Sequence, residues 1–262
     1  MSSSLEVIIK TCDIKDMHGH IDTRSRYCKT DKITLIKKCL SSIVIACNNR
    51  PHKTLITVID DCSTSTCIKN IETILSKSFH KTQLIRRDKN DYNEATLQYF
   101  KQGRDSSRAL VYCVEDDYLH HPESINEMCW FYDHAYNQLN QQKDIVLHPF
   151  DDPDNYYFRY MVKSYIVLGK QRHWRSNYYT TCTFLTTPGV IRRNWEYFEK
   201  FALYFGKDKD IHENTTLNKI WSQDSIALLT PLPSLALHMQ YDNNIDPRTD
   251  WKALWDLIPD MA

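Results

Sequence analysis

Glycine and proline are scarce in this chain of 262 residues, which contains 5 glycines and 9 prolines. Such low numbers exclude collagen-like repeats and the flexible low-complexity sequences that are rich in both residues. The few glycines also leave no glycine-rich loop of the kind that cradles phosphate groups in many nucleotide-binding proteins. We therefore expect an ordered globular protein.

An excess of charge of one sign and a long hydrophobic run are also lacking. Lysine and arginine together number 33, as do aspartate and glutamate, so the net charge favours neither nucleic acid nor an anionic membrane as a partner. No apolar run approaches the roughly 20 residues that span a bilayer, and the N-terminal one is too short for a signal sequence. The nine cysteines, an odd number scattered through predicted strands and helices, indicate reduced thiols. These features together predict a cytoplasmic protein without a membrane span.

Apolar strands alternate with amphipathic helices in the first half of the chain. Residues 5–10, 55–59 and 109–114 predict strands, and helices are expected to begin near Asp31, Ser65, Tyr92 and Pro122. A nearly all-apolar strand is covered on both faces, which is typical of parallel sheets. The pattern predicts an α/β fold with a mostly parallel central sheet flanked by helices. Because no linker or repeat divides the chain, a single domain over residues 1–262 is expected.

The second half of the chain has a less regular pattern. Two predicted strands, residues 165–168 and 180–186, are separated by a polar loop at 169–175, which suggests a hairpin or an extension that makes the sheet mixed. One helix is predicted from Pro188 to Phe205, and a shorter one from about Glu213 to Trp221. A late strand at residues 226–229 leads through two prolines to His238.

Acidic residues stand directly after two of the predicted strands. Asp60 and Asp61 follow the second strand, and Glu115, Asp116 and Asp117 follow residues 109–114. The carboxyl ends of parallel strands meet at one edge of a sheet, so both clusters are expected there. Adjacent carboxylates repel one another, and Mg²⁺ or Mn²⁺ would compensate them while also binding phosphate oxygens. Ordinary strand endings and helix caps are the alternative explanation of these residues.

The two acidic motifs resemble those of the inverting family-two glycosyltransferases, which have the GT-A fold, a Rossmann-like α/β domain. Residues 58–63, Val-Ile-Asp-Asp-Cys-Ser, are similar to the family's second-strand motif, although Cys62 replaces the common glycine. Residues 110–117 are similar to its metal-binding DXD element, with Glu115 in the first position. The resemblance covers the first 150 residues well and only scattered positions afterwards.

This resemblance implies a metal-dependent transfer of a sugar from a nucleotide-sugar, with UDP-sugars favoured, to a hydroxyl acceptor with inversion. Mn²⁺ or Mg²⁺ is the implied cofactor. Residues 1–150 would form the nucleotide-sugar-binding half and residues 151–262 the acceptor-binding half. The implied donor-binding residues are Thr11, Asp13, Arg24, Arg26, Asp60, Asp61, Glu115 and Asp116, and the implied metal ligands are Asp117, Glu115 and His238.

An inverting transfer also needs a carboxylate base that deprotonates the acceptor. The family places this base at the start of a short helix in the second half, where Glu213 stands, with Asp224 as the alternative. A glutamate that only interacts with the helix dipole is an equally ordinary explanation of Glu213. Trp174, in the predicted hairpin loop, and Asp152, after another predicted strand, are candidate acceptor-binding residues.

Two other functions fit part of the sequence. Paired carboxylates with Mg²⁺ also serve nucleotidyl transfer, but that chemistry usually needs the missing glycine-rich loop. A non-catalytic nucleotide- or carbohydrate-binding module would keep Asp60 and Asp61 and tolerate the loss of Glu213. Among acceptors, the sequence leaves glycans, lipids and proteins open, and the neutral net charge makes a modified DNA base less favoured.

Overall fold

A computed structural model describes residues 3–14, 27–139, 143–152, 156, 164–240 and 248–262. The strands are β1 (Leu5–Thr11), β2 (Thr54–Asp60), β3 (Lys81–Arg86), β4 (Leu110–Glu115), β5 (Tyr118–His120), β6 (Asp144–Leu147), β7 (Ile166–Val167), β8 (His173–Ser176), β9 (Phe184–Thr186), β10 (Ile226–Leu232) and β11 (Ala236–His238). The helices are α1 (Lys32–Asn48), α2 (Ser65–Leu75), α3 (Tyr92–Asp105), α4 (Ser124–Gln138), α5 (Pro188–Arg193), α6 (Trp195–Tyr204), α7 (Leu217–Trp221) and α8 (Trp251–Leu257). Among these residues, no helix is both long enough and apolar enough to cross a bilayer.

Nine of the described strands form one mixed sheet in the order β3-β2-β1-β4-β9-β6-β10-β8-β7. Strands β3, β2, β1 and β4 are parallel neighbours, as are β6 and β10. Strand β9 lies antiparallel between β4 and β6. The predicted α/β fold with a mostly parallel sheet is therefore confirmed.

Alternate residues of the central strands enter two separate cores, one on each face of the sheet. Val7 and Ile9 of β1 pack in the core that contains α1, α2 and α4, whereas Ile8 packs in the core that contains α3 and α5–α7. Strand β4 divides in the same way. Burial on both faces explains why hydrophobic residues predominate at consecutive positions of these strands.

Of the two arrangements expected for the second half, the hairpin between residues 165–168 and 180–186 does not form, and antiparallel strands extend the sheet into a mixed one. Strand β7 pairs with β8, which occupies part of the expected loop, and β9 enters the centre of the sheet. Phe184 and Leu185 of β9 are fully buried on opposite faces, which requires a central position, whereas Ile166 on the edge strand β7 is half exposed. The helix expected from Pro188 to Phe205 is interrupted at Asn194, whose side-chain amide donates to the carbonyl of Val190 and separates α5 from α6.

Candidate functional site

The carboxyl ends of β1, β2 and β4 meet at one edge of the sheet, here called the carboxyl rim and defined by Thr11, Asp60 and Glu115. Thr11 pairs in register with Asp60, and Lys10 pairs with Glu115. The parallel register thus places Asp60–Asp61 and Glu115–Asp117 at the same edge of the sheet. The side-chain contacts of these acidic residues differ from one to the next.

Glu115 faces α3. Its backbone N–H donates to Thr183 Oγ1 at 3.3 Å, which connects the end of β4 to the segment before β9. Burial raises the pKa of the Glu115 carboxyl group, Lys10 opposes the rise, and the neighbouring carboxylate of Asp117 adds to it. Burial alone would lower the pKa of Lys10, but the acidic groups of Tyr92, Cys182 and Glu115 raise it overall. Lys10 is therefore a charged group beneath the rim.

Asp116 points to the opposite face of the sheet, toward α1. Its Oδ2 accepts hydrogen bonds from Thr11 Oγ1 at 3.0 Å and from the backbone N–H of Cys12 at 3.2 Å. Its Oδ1 forms an ion pair of 2.6 Å with Lys32 Nζ, at the first residue of α1. Asp116 therefore ties the loop after β1 and the start of α1 to the end of β4.

Asp117 lies beside His238 because a second, two-stranded sheet joins β5 to β11. His238 pairs in register with Tyr118, and the backbone N–H of Met239 donates to the Asp117 carbonyl at 2.8 Å. The imidazole stacks on the Tyr118 ring at a centroid distance of 4.5 Å, and its Nε2 lies 3.4 Å from Asp117 Oδ2. Burial opposes protonation of this imidazole, but Asp117, Glu115 and Asp152 raise the pKa of His238 above its ordinary value. Asp152 is thus also close to the site.

Asp60 and Asp61 at the end of β2 have different environments. Asp60 is fully buried, and both carboxylate oxygens accept from the backbone N–H of Ser63 at 3.3 and 3.1 Å. Burial raises the pKa of Asp60, and the Ser63 bonds oppose that rise. Asp13, from the loop after β1, accepts from the N–H and hydroxyl of Thr64, the N-cap of α2. The end of β2 is in this way connected to the loop after β1.

Asp61 holds the loop between β3 and α3. Its Oδ1 accepts from Arg87 Nε and from the backbone N–H of Asp91, both at 3.0 Å, and its Oδ2 accepts from Asn90 Nδ2 at 3.1 Å. This buried carboxylate therefore stabilises the rim, and its expected contact with a nucleoside stays a prediction.

We expect Asp61→Asn to lower the free energy of unfolding by about 2 kcal/mol, because an amide replaces a charged acceptor of three hydrogen bonds. Urea unfolding followed by circular dichroism measures the change. Asp88→Asn is the matched control, since Asp88 is an exposed residue of the same loop. Equal stability of the two variants would contradict this role of Asp61.

Cys62 occupies the position at which the resembling motif has glycine, and its φ of 63° lies in the left-handed region. A side chain with a Cβ atom is disfavoured there by about 1 kcal/mol, whereas glycine is not. We expect Cys62→Gly to raise the melting temperature by about 2–4 °C in a thermal unfolding experiment. Cys62→Ala keeps the Cβ atom and should give no such rise; a similar rise in both variants would assign the effect to the thiol.

Glu213 begins a 3₁₀ helix, Glu213–Thr215, that directly precedes α7. Its side chain is half buried. Burial raises the pKa of the Cys182 thiol well above its ordinary value, and the carboxylates of Glu115 and Glu213 add to the rise. Both carboxylates are therefore within electrostatic range of the same thiol.

The metal ligands expected from the sequence are in part brought together. Asp117 and His238 form a close oxygen–nitrogen pair, and Glu115 is near enough to raise the pKa of His238. Within the described part of the chain, no three His, Cys, Asp or Glu side chains converge into a group that could hold an ion alone. Such a pair suits Mn²⁺ or Mg²⁺ only where substrate oxygens complete the coordination, as they often do for these ions.

Known proteins resemble this chain in structure and do not match it in sequence. No protein-family model matches the sequence, and no curated protein matches it either. The mannosyltransferase PcManGT from Pyrobaculum calidifontis, solved with GDP-Man and Mn²⁺, is similar over 90% of this chain at a TM-score of 0.54 and 14% identity. S. aureus TarS matches over 97% at 0.53 and 14% identity, and GalNAc-T7 with UDP, GalNAc and Mn²⁺ over 94% at 0.52 and 11% identity.

The chain has the GT-A glycosyltransferase fold. It spans 56% of the PcManGT chain, 39% of the TarS chain and 45% of the GalNAc-T7 chain. At these identities the likeness concerns the fold, and the activity of this chain has to be argued from its own site.

Two residues expected at the site lie elsewhere in the GT-A fold. Trp174 is fully buried in β8 and stacks on Phe131 of α4 at 4.2 Å, so neither ring face is open to an acceptor. Asp224 is exposed before the amino end of β10, where the backbone N–H of Asp144 donates to Ser225. Since β10 and β6 are parallel to β4, Asp224 is at the edge opposite the carboxyl rim. These positions do not support the two expected roles, and Arg24 and Arg26 lie outside the described residues.

Two lysines at the rim were not expected from the sequence. Lys32 pairs with Asp116, and Lys10 is buried beside Glu115. Lys10 could have been noticed in the sequence, because a lysine in a buried strand is rare unless its charge has a partner. Nothing in the sequence distinguished Lys32, since a lysine at a helix start is usually an exposed surface residue.

Proposed function

We propose that this protein is a metal-dependent glycosyltransferase that transfers a sugar from a nucleotide-sugar to a hydroxyl acceptor with inversion. The observation that carries the proposal is the pairing of Asp117 with His238 at the carboxyl rim of a GT-A fold, beside Glu115 and Asp116. In open α/β sheets, ligands bind outside the carboxyl ends of the strands.

Asp117 and His238 would hold Mn²⁺ or Mg²⁺, with Glu115 as the adjoining carboxylate. A bound cation offsets the negative charge that develops on the departing diphosphate. The imidazole must be neutral to bind the ion, so the ion and a proton compete for the same nitrogen. PcManGT and GalNAc-T7 were solved with Mn²⁺, which makes manganese the first ion to test.

The donor would lie along β1, β2 and β4. Asp60, whose carboxylate accepts from the backbone N–H of Ser63, is the candidate for the nucleoside. Four side chains that already form hydrogen bonds within the protein would line the donor site: Thr11, Asp13, Asp61 and Asp116. Of these, Thr11 and Asp13 fix the loop after β1. A UDP-sugar is the favoured donor, and a GDP-sugar, as in the PcManGT complex, is the alternative.

The acceptor would enter from the side of Glu213 and Asp152. Glu213 would take the proton of the acceptor hydroxyl as that oxygen attacks the sugar carbon and the bond to the diphosphate breaks. Asp152, close enough to raise the pKa of His238, would bind acceptor hydroxyl groups. A glycan or another hydroxyl compound fits this arrangement of carboxylates.

A screen of UDP-, GDP- and dTDP-sugars with and without Mn²⁺ tests the proposal. We expect a thermal shift that needs both the nucleotide-sugar and the ion, together with slow release of nucleoside diphosphate by hydrolysis. Release of pyrophosphate from a nucleoside triphosphate would instead assign nucleotidyl transfer. Binding without any turnover over long incubation would assign a non-catalytic binding module.

A further inference from the structure

Lys10 is a buried lysine directly beneath the carboxyl rim. It is the penultimate residue of β1, and its exposed fraction is 8%. Alternation along the strand places it on the face of Ile8, which α3 covers. Burial of an ammonium group is costly unless polar or charged groups compensate it.

Helix α3 supplies two of the compensating groups. Lys10 Nζ donates to Thr96 Oγ1 at 3.0 Å and lies 4.0 Å from the centroid of the Tyr92 ring. Thr96 in turn donates its hydroxyl hydrogen to the carbonyl of Tyr92 at 2.7 Å, so its lone pair is directed to Lys10. An aromatic face attracts a desolvated cation. These contacts fix the ammonium group, although none of them carries a full negative charge.

A carboxyl group, that of Glu115, stands next to Lys10 on the adjacent strand. Lys10 and Glu115 are partners in the parallel register of β1 and β4, so their side chains leave the same face of the sheet on adjacent strands. Lys32 lies within ion-pair distance of Asp116 and His238 within that distance of Asp117, whereas Lys10 is the register partner of Glu115 on the adjacent strand. Lys10 is the one of these basic residues that is enclosed between the sheet and α3.

We propose that Lys10 is a positioning residue of the donor site, whose ammonium group fixes the Glu115 side chain and offsets part of the negative charge of the rim. This inference rests on the proposed function. The effect of Lys10 on the affinity for the nucleotide should depend on Glu115 and should disappear when Glu115 loses its charge.

A double-mutant cycle tests the proposal on the full chain. The dissociation constant of UDP in the presence of Mn²⁺ is measured by calorimetry for wild type, Lys10→Met, Glu115→Gln and the double variant. Each single variant is expected to weaken binding by about 10-fold, and the double variant by about 10-fold rather than 100-fold. Lys10→Arg, which restores the charge, should recover most of the loss. Fully multiplicative effects, or no recovery by arginine, would overturn the proposal.

Two further sets of variants keep the test decisive. Lys32→Met is the matched control, because Lys32 pairs with Asp116, and its effect should multiply with that of Glu115→Gln. Thr96→Val removes the hydrogen-bond acceptor of Lys10 and should weaken UDP binding to a smaller degree, again only when Glu115 is present. Thr96→Val takes the place of Lys10→Met in the cycle if Lys10→Met does not fold.

Failure of wild type to bind any nucleotide with Mn²⁺ would count against the proposed function rather than against the pairing of Lys10 with Glu115. The same four proteins are then compared by melting temperature without ligand. A smaller drop in the double variant than the sum of the single drops supports the pairing. Additive drops refute it.

Discussion

Replacement of Asp117 by asparagine is expected to reduce metal-dependent sugar transfer by about 10²–10³-fold, the loss typical of removing one group that stabilises developing charge. Asp117 lies 3.4 Å from His238, and the β5–β11 pair fixes the backbone on both sides of this contact. The amide keeps the shape of the side chain and removes its charge. Initial rates measured over a Mn²⁺ titration with the donor found in the screen give the size of the loss.

Asp224→Asn is the control for this experiment. Asp224 is an exposed carboxylate at the opposite edge of the sheet, so its loss of charge should leave the rate within about twofold of wild type. A fall in rate for Asp117→Asn that high Mn²⁺ fully reverses would show weakened ion binding with intact chemistry. An unchanged rate would remove Asp117 from the metal site and with it the basis of the proposed function.

The carboxyl rim could be predicted from the sequence because each acidic cluster directly follows its strand in the chain. A strand that is buried on both faces is a short apolar run, and the acidic residues that end it stand next to it in the chain. Parallel pairing then brings Asp60 and Glu115 to one edge by the geometry of the sheet, without any knowledge of side-chain contacts.

The second half could not be predicted in the same way because its pairing is non-local. Strand β9 is only three residues long, and nothing in its sequence specifies that it enters between β4 and β6 rather than pairing with its neighbour in the chain. Trp174 illustrates the consequence for function. In a loop it would be an exposed ring beside basic residues, but as part of β8 it is a core residue against Phe131.

The acidic residues also differ in a way that the sequence cannot show. Asp61 and Asp116 each accept several hydrogen bonds from the protein, so their charge is used to hold loops and the start of α1. Asp117 has the imidazole of His238, 3.4 Å away, as its charged neighbour. Adjacent carboxylates of one motif therefore have different partners in the protein.

Glu213→Gln is expected to lower the turnover number by about 10²–10⁴-fold while the affinity for the nucleotide-sugar and Mn²⁺ stays near that of wild type. The carboxylate of Glu213 is the group proposed to take the acceptor proton, a step that donor binding does not need. The amide cannot accept that proton. Steady-state kinetics with a competent acceptor and calorimetry with the nucleotide separate the two quantities.

Asp210→Asn is the matched control, because Asp210 is an exposed acidic residue three positions before Glu213 in the same connection. Its turnover number should match that of wild type, which would separate a specific base from a general effect of negative charge near the acceptor. Equal falls in both variants would favour the general effect. A normal turnover number for Glu213→Gln would assign Glu213 to the helix dipole at the start of its short helix, and the base would then have to be sought elsewhere on the carboxyl rim, beginning with Asp152.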